Sequence, residues 1–139
     1  SSNNTFYLLD RGNQRIKAID NIDHSSTPYN WAGSGANTAS LGTGTGASFQ
    51  SLRGMLMLND DATMVINEGS DDDQPCIRHI YLPTVEVTNH VGSCSSPGMV
   101  DGTGSAARFR FIVHIAHDKA TDDVYATDDN VNNRICKIT

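Results

Sequence analysis

The sequence predicts an all-β chain built from a repeated, four-stranded antiparallel unit, and three observations predict it. Of 139 residues only 37% are hydrophobic while 12 are Gly, a balance that suits many short strands joined by turns. Residues 41–49 (LGTGTGASF) align with residues 101–109 (DGTGSAARF), and Phe49 and Phe109 lie 109 − 49 = 60 positions apart. Each Gly-rich phrase is preceded by a matching one, NWAGS from Asn30 and NHVGS from Asn89, and followed by the same succession of apolar runs. A period above about 40 residues with four strands per unit belongs to a β-propeller blade rather than to a helical solenoid or a single sandwich.

Taken in order, the chain opens on Phe6-Tyr7-Leu8-Leu9-Asp10 and continues with Arg15-Ile16-Lys17-Ala18-Ile19, where apolar and charged residues alternate. The second copy supplies an innermost run at residues 54–58, a second at Met64-Val65-Ile66 and a third at Cys76-Ile77-Arg78-His79-Ile80. The third copy repeats these at residues 111–116, at Val124-Tyr125-Ala126 and at residues 134–138. Clusters of Gly, Asn and Asp separate the runs. With blade strands lettered a to d from the centre outward, residues 1–40 are b, c and d of one blade, 41–99 a complete second blade, and 100–139 a, b and c of a third. Ten strands are expected. Copies closing a ring by themselves would leave unpaired edges at every junction, so the remaining blades are expected from the rest of a longer chain.

Charge and hydropathy exclude several functions. Ten basic against 16 acidic residues give a net charge of −6, no footprint for a phosphate backbone, so no nucleic-acid partner is expected. No stretch approaches the roughly 18 apolar residues of a membrane span. The three cysteines allow at most one internal disulfide.

At these phrases the chain resembles the NHL-repeat family. LLDRGNQRIKAI (residues 8–19), WAGSG (residues 31–35) and DGTGSAARF (residues 101–109) match the family's recurring wording in order and spacing. The second copy departs from it, with Cys76 where Arg15 and Arg134 stand and an enlarged acidic turn at residues 68–74. The resemblance implies a six-bladed ring. It also implies a choice of functions, since some relatives are lyases with metal-binding His residues around the central channel and others are basic RNA binders.

Asp10, Glu68 and Asp128 share one repeat position, at the start of the b to c turn, where a carboxylate accepts backbone N–H bonds. Arg15 and Arg134 are expected to pair with carboxylates or carbonyls between blades. The Gly-rich stretches lack the Lys and following helix of a phosphate loop and read as connectors. The acidic loops, with Glu68, Asp71, Asp72, Asp73, Asp122 and Asp123, are the expected binding surface. They offer oxygen ligands that suit Ca²⁺, though without EF-hand spacing, and no other cofactor is expected. Arg53, His114 and His117 are candidates for the channel lining, but two His three apart on a strand point to opposite faces and do not chelate one metal.

No nucleophile sits in a recognisable catalytic context. Cys76, Cys94 and Cys136 read as ordinary blade residues, and a Cys76 to Cys136 bridge is disfavoured because Cα atoms beyond about 7 Å cannot be joined. The expected function is a rigid scaffold for a protein or glycan partner, placed outside the cell or on its surface. The alternative is part of a propeller enzyme of lyase or lactonase type with a metal site in its channel.

Overall fold

The computed structural model describes residues 4–69, 75–129 and 133–139. Among these residues there is no α-helix, and the strands form three antiparallel sheets. The first holds β1 (Thr5–Asp10), β2 (Arg15–Asp20) and β3 (Tyr29–Ala32) in sequence order. The second runs β4-β8-β7-β6-β5, from β4 (Gly42–Thr43) through β8 (Glu86–Val91), β7 (Cys76–Tyr81) and β6 (Thr63–Glu68) to β5 (Gly54–Met57). The third holds β9 (Ile112–Asp118), β10 (Asp123–Asp128) and β11 (Arg134–Ile138).

Ten of these are the expected strands. The eleventh, β4, is a difference: the Gly-rich connector does more than connect, because Gly42 and Thr43 pair with Val87 and Glu86 and widen the second sheet to five strands. Two residues rich in glycine carry no strand signal of their own, so this pairing exists only through β8.

The registers repeat as the sequence does. Asp10 faces Arg15, Glu68 faces Cys76 and Asp128 faces Arg134 at the closed end of each hairpin. The third strand of the unit is bulged against the fourth at Ile16/Lys17 in the first sheet and at Ile77/Arg78 in the second. A bulge re-aims the strand beyond it, and here that happens at equivalent positions.

Two cores lie between the sheets. The first joins Ile16 and Ala32 of the first sheet to Met64, Ile66, Ile80 and Val87 of the second, with Ala47, Phe49 and Leu52 of the connector between them. The second core repeats eight of these nine members, with Ile77 and Val91 facing Val124, Ala126 and Ile138 across Ala107, Phe109 and Ile112; Val87 has no counterpart, and Val65 is added. Fully burying an aromatic such as Phe49 or Phe109 is worth about 2–3 kcal/mol, so these rings anchor each junction. They also fix two glycines. A Cβ on Gly33 would lie 2.8 Å from the Phe49 ring and one on Gly92 2.8 Å from the Phe109 ring, and both residues have φ near +90°, where side chains other than glycine's are strained.

Polar fasteners reinforce the junctions. The buried Asn67 amide donates to the Ile112 carbonyl at 3.0 Å, tying the second sheet to the third. Gln14 accepts from the Leu52 N–H at 3.3 Å, tying the first sheet to the next connector.

The cysteines require a correction. Cys76 is not an ordinary blade residue but forms a disulfide with Cys94, with Cα atoms 5.0 Å apart, while Cys136 is free. The hairpin register explains it: Ile77 faces Val91, so the loop that follows β8 passes beside the start of β7. The second copy thus places a covalent link where the other two place Arg15 and Arg134.

Candidate interaction surface

The shared carboxylate position is built into the framework. Glu68 Oε2 accepts the Gln50 N–H at 2.6 Å, and Asp128 Oδ1 accepts the N–H groups of Arg110 and Phe111 at 2.9 and 2.8 Å. These N–H groups belong to the connector entering the innermost strand. Asp10 differs, taking both amide hydrogen bonds from Asn13 in its own turn at 3.0 and 2.9 Å. That amide, with Lys17 beside it, holds the Asp10 carboxyl below the usual range.

The basic partners vary from sheet to sheet. Arg134 spreads its fork over Asp128 at 3.2 Å, Asp101 at 3.1 Å and the Arg108 carbonyl at 3.0 Å. Arg15 donates to the Ser34 carbonyl at 2.9 Å. In the second sheet the role falls to Arg78, two residues along the strand from Cys76. Its guanidinium is wholly buried, 2.8 Å from Glu68, and it donates to the carbonyls of Ser48 at 2.9 Å and Ser40 at 2.7 Å. Burial pushes the Glu68 carboxyl upward, while the Arg78 charge and the Gln50 N–H restrain it. Sequence reasoning missed Arg78, although period-two alternation puts residues 76 and 78 on one face.

The other candidates are also engaged. Asp122 Oδ1 accepts from His117 Nε2 at 2.7 Å and from the Asn59 N–H at 3.1 Å, and the Asn59 amide donates to the Lys119 carbonyl at 2.9 Å. This cluster fastens the loop after β5 to the turn between β9 and β10. Asp123 pairs with Lys137 at 2.9 Å, and the Thr121 hydroxyl followed by that ammonium depresses its carboxyl. Arg53 donates to the Gly69 carbonyl at 2.7 Å with its guanidinium 4.4 Å above the Phe111 ring, bridging second and third sheets. His114 is exposed and its backbone N–H bonds Thr127, so it stands apart from the His117 cluster. Asp71, Asp72 and Asp73 lie outside the described residues.

Two further features complete the surface. The imidazoles of His79 on β7 and His90 on β8 stack at 3.9 Å, and burial, with the neighbouring His90, lowers the His79 pKa to about 4. A groove of about 470 Å³ runs between β11 and the connector at residues 100–109. Among the described residues no group of three or more His, Cys, Asp or Glu forms a metal site, and no helix is long and apolar enough to cross a membrane.

No protein-family model matches the chain, and no curated protein matches it. Its fold is nevertheless found in solved structures. An auxiliary nutrient binding protein from Bacteroides ovatus superposes with a TM-score of 0.80 and 24% identity over 96% of this chain and 34% of that one. A candidate phosphatase from Bacteroides thetaiotaomicron gives a TM-score of 0.80 at 21% identity over 97% and 32%. A second auxiliary nutrient binding protein, from the same species, gives 0.74 at 23% over 98% and 35%. At these identities the likeness is one of fold. The chain spans about a third of the length of each of these proteins.

Proposed function

We propose that the three sheets are blades of an NHL-like β-propeller, with boundaries at residues 1–40, 41–99 and 100–139, serving as a rigid interaction scaffold for a protein or glycan partner. The observation that carries this reading is the repeated junction: two cores of matching residues, each cemented by a buried carboxylate, hold successive sheets in one attitude. Stiff frameworks place binding on their loops. Two of the solved structures that share the fold are nutrient binding proteins, and the remaining blades would come from a longer protein of comparable length. The Cys76–Cys94 disulfide fits an oxidising, extracytoplasmic setting.

Glu68, Asp122 and Asp123 are held by framework partners, so the contact falls to Asp71, Asp72 and Asp73. The test is a glycan array and a panel of extracellular proteins probed with the native chain and with a variant carrying Asp71→Asn, Asp72→Asn and Asp73→Asn. Capture is expected to fall about tenfold or more, the loss of roughly 1.4 kcal/mol of contact, with the unfolding midpoint unchanged. Undiminished capture removes this loop from the binding surface.

A further inference from the structure

The first sheet carries an aromatic patch that the repeat does not ask for. Tyr7, Ala18 and Tyr29 lie opposite one another across β1, β2 and β3, so their side chains share one face. Tyr7 packs against the first core, with its ring 4.7 Å from that of Trp31 and tilted by 58°, so this face looks toward the second sheet. The same row of the second sheet reads Val65, His79 and Thr88, and His90 stands where Trp31 does. The fold thus accepts aliphatic and polar residues at these places, and three of the chain's five Tyr and Trp residues are gathered where blade packing does not demand them.

A carboxylate stands beside the rings. Asp20, two residues beyond Ala18 and opposite Thr5, accepts the Tyr29 hydroxyl on Oδ2 at 3.1 Å and the Thr5 hydroxyl on Oδ1 at 2.7 Å. Each of its oxygens keeps a lone pair for a further donor. Tyr29 is 45% exposed and Asp20 is exposed with it, while Tyr7 and Trp31 are half-buried. The opening is not a place that the repeat reserves for a strand. The second sheet, which faces it, holds all four strands of the unit and β4 besides. In that sheet β5 lies inside β6 and β4 lies outside β8, so the corresponding places of the first sheet are its two edges, the outer one beside residues 27–28.

We propose that Tyr29, with Asp20, Thr5 and the flank of Trp31, forms a subsite for a neutral pyranose unit of a glycan. A pyranose has a face of C–H bonds and a rim of hydroxyls. The open Tyr29 ring meets the first, and the Asp20 oxygens, which already accept two hydroxyls, meet the second. A net charge of −6 disfavours an acidic sugar. A quaternary ammonium ligand calls for rings on several sides, whereas Tyr7 and Trp31 lean on the core and leave one ring open. The subsite deepens the scaffold reading by naming its ligand and rests on that reading, but it uses none of Asp71, Asp72 and Asp73.

Trp31 is the chain's only Trp, so its fluorescence reports on this patch directly. Soluble starch, xylan, galactomannan and mixed-linkage β-glucan are each titrated into the intact protein, and at least one is expected to shift the Trp31 emission to saturation. Tyr29→Ala is expected to weaken that binding by about tenfold, the worth of one aromatic contact, and Asp20→Asn by less, since one acceptor oxygen remains. Tyr81→Ala, which removes an equally exposed tyrosine at the place of Asp20 in the second copy, is expected to leave binding unchanged. Thermal scans establish that each variant is folded. No saturable shift with any of the four polysaccharides overturns the proposal, as does undiminished binding by folded Tyr29→Ala. A shift with tetramethylammonium chloride and with no polysaccharide also overturns it and gives the ring to a cation. The sugar response is expected to persist in the variant carrying Asp71→Asn, Asp72→Asn and Asp73→Asn, so failure of the acidic loop and failure of this subsite are told apart.

Discussion

Replacing Arg78 by Met is expected to remove a large share of this protein's stability. The guanidinium has no solvent exposure, with Glu68 at 2.8 Å and the Ser48 and Ser40 carbonyls at 2.9 and 2.7 Å. Met retains the apolar stem, so the loss is confined to the charge and its hydrogen bonds. Removing one side of a buried ion pair costs about 3–5 kcal/mol. Protonation of Glu68, which burial already favours, returns part of that. A net loss of about 3 kcal/mol is large against the roughly 5–15 kcal/mol that holds a domain folded, and lowers the midpoint by about 10 °C. Adding Glu68→Gln removes the stranded charge and keeps an acceptor for the Gln50 N–H, so the double variant is expected to regain about 2 kcal/mol. Urea unfolding with a common m value, read as a double-mutant cycle, measures both numbers. A loss below about 1 kcal/mol for Arg78→Met, or simple additivity in the double variant, would refute the reasoning.

Three further outcomes follow from the same geometry. Stability should fall as pH drops from about 6.5 to about 4, because the His79 pKa is about 4 when folded and the unfolded chain takes the proton first. The displacement amounts to about 3 kcal/mol for a buried ring and about 1.5 kcal/mol for this half-exposed one, and His79→Gln should flatten the unfolding profile over that window. Reducing the Cys76–Cys94 bridge, which closes an 18-residue separation, should cost about 3 kcal/mol by loop entropy, seen as a lower denaturation midpoint in reductant. Gly92→Ala should cost more than 1 kcal/mol by clash with Phe109 and strain at φ +90°, while Gly12→Ala, with open space around it, should stay within about 0.5 kcal/mol in the same thermal scans.

Most of the strand order was legible because the repeat shows each element two or three times. Phe49 and Phe109, Ile80 and Ile138 announce the same core from positions about 60 apart, which no single propensity argument could do. What stayed hidden depends on contacts between segments far apart in sequence. β4 has two residues, one of them glycine, and becomes a strand only against β8. The Cys76–Cys94 link depends on the path of the loop after β8, which no spacing encodes. The second copy carries Cys76 where the others carry Arg15 and Arg134, and only the fold shows that Arg78 makes the pairing with the shared carboxylate. The partners of the candidate residues were less legible still: Asp122 and Asp123, expected on the binding surface, and Arg53 and His117, expected to line the channel, each bond a residue far away in sequence or in a neighbouring turn.

The central claim is that repeated junctions make the three sheets one rigid framework, and native-state hydrogen exchange tests it most directly. The amides of Ala18 in β2, Ile66 in β6 and Ala126 in β10, each buried in the body of its sheet, are predicted to exchange only through one shared opening, with equal free energies that drop together in Arg78→Met. Exchange of Ala126 through a separate opening, several kcal/mol easier than that of Ile66 and unmoved by the substitution, would contradict it.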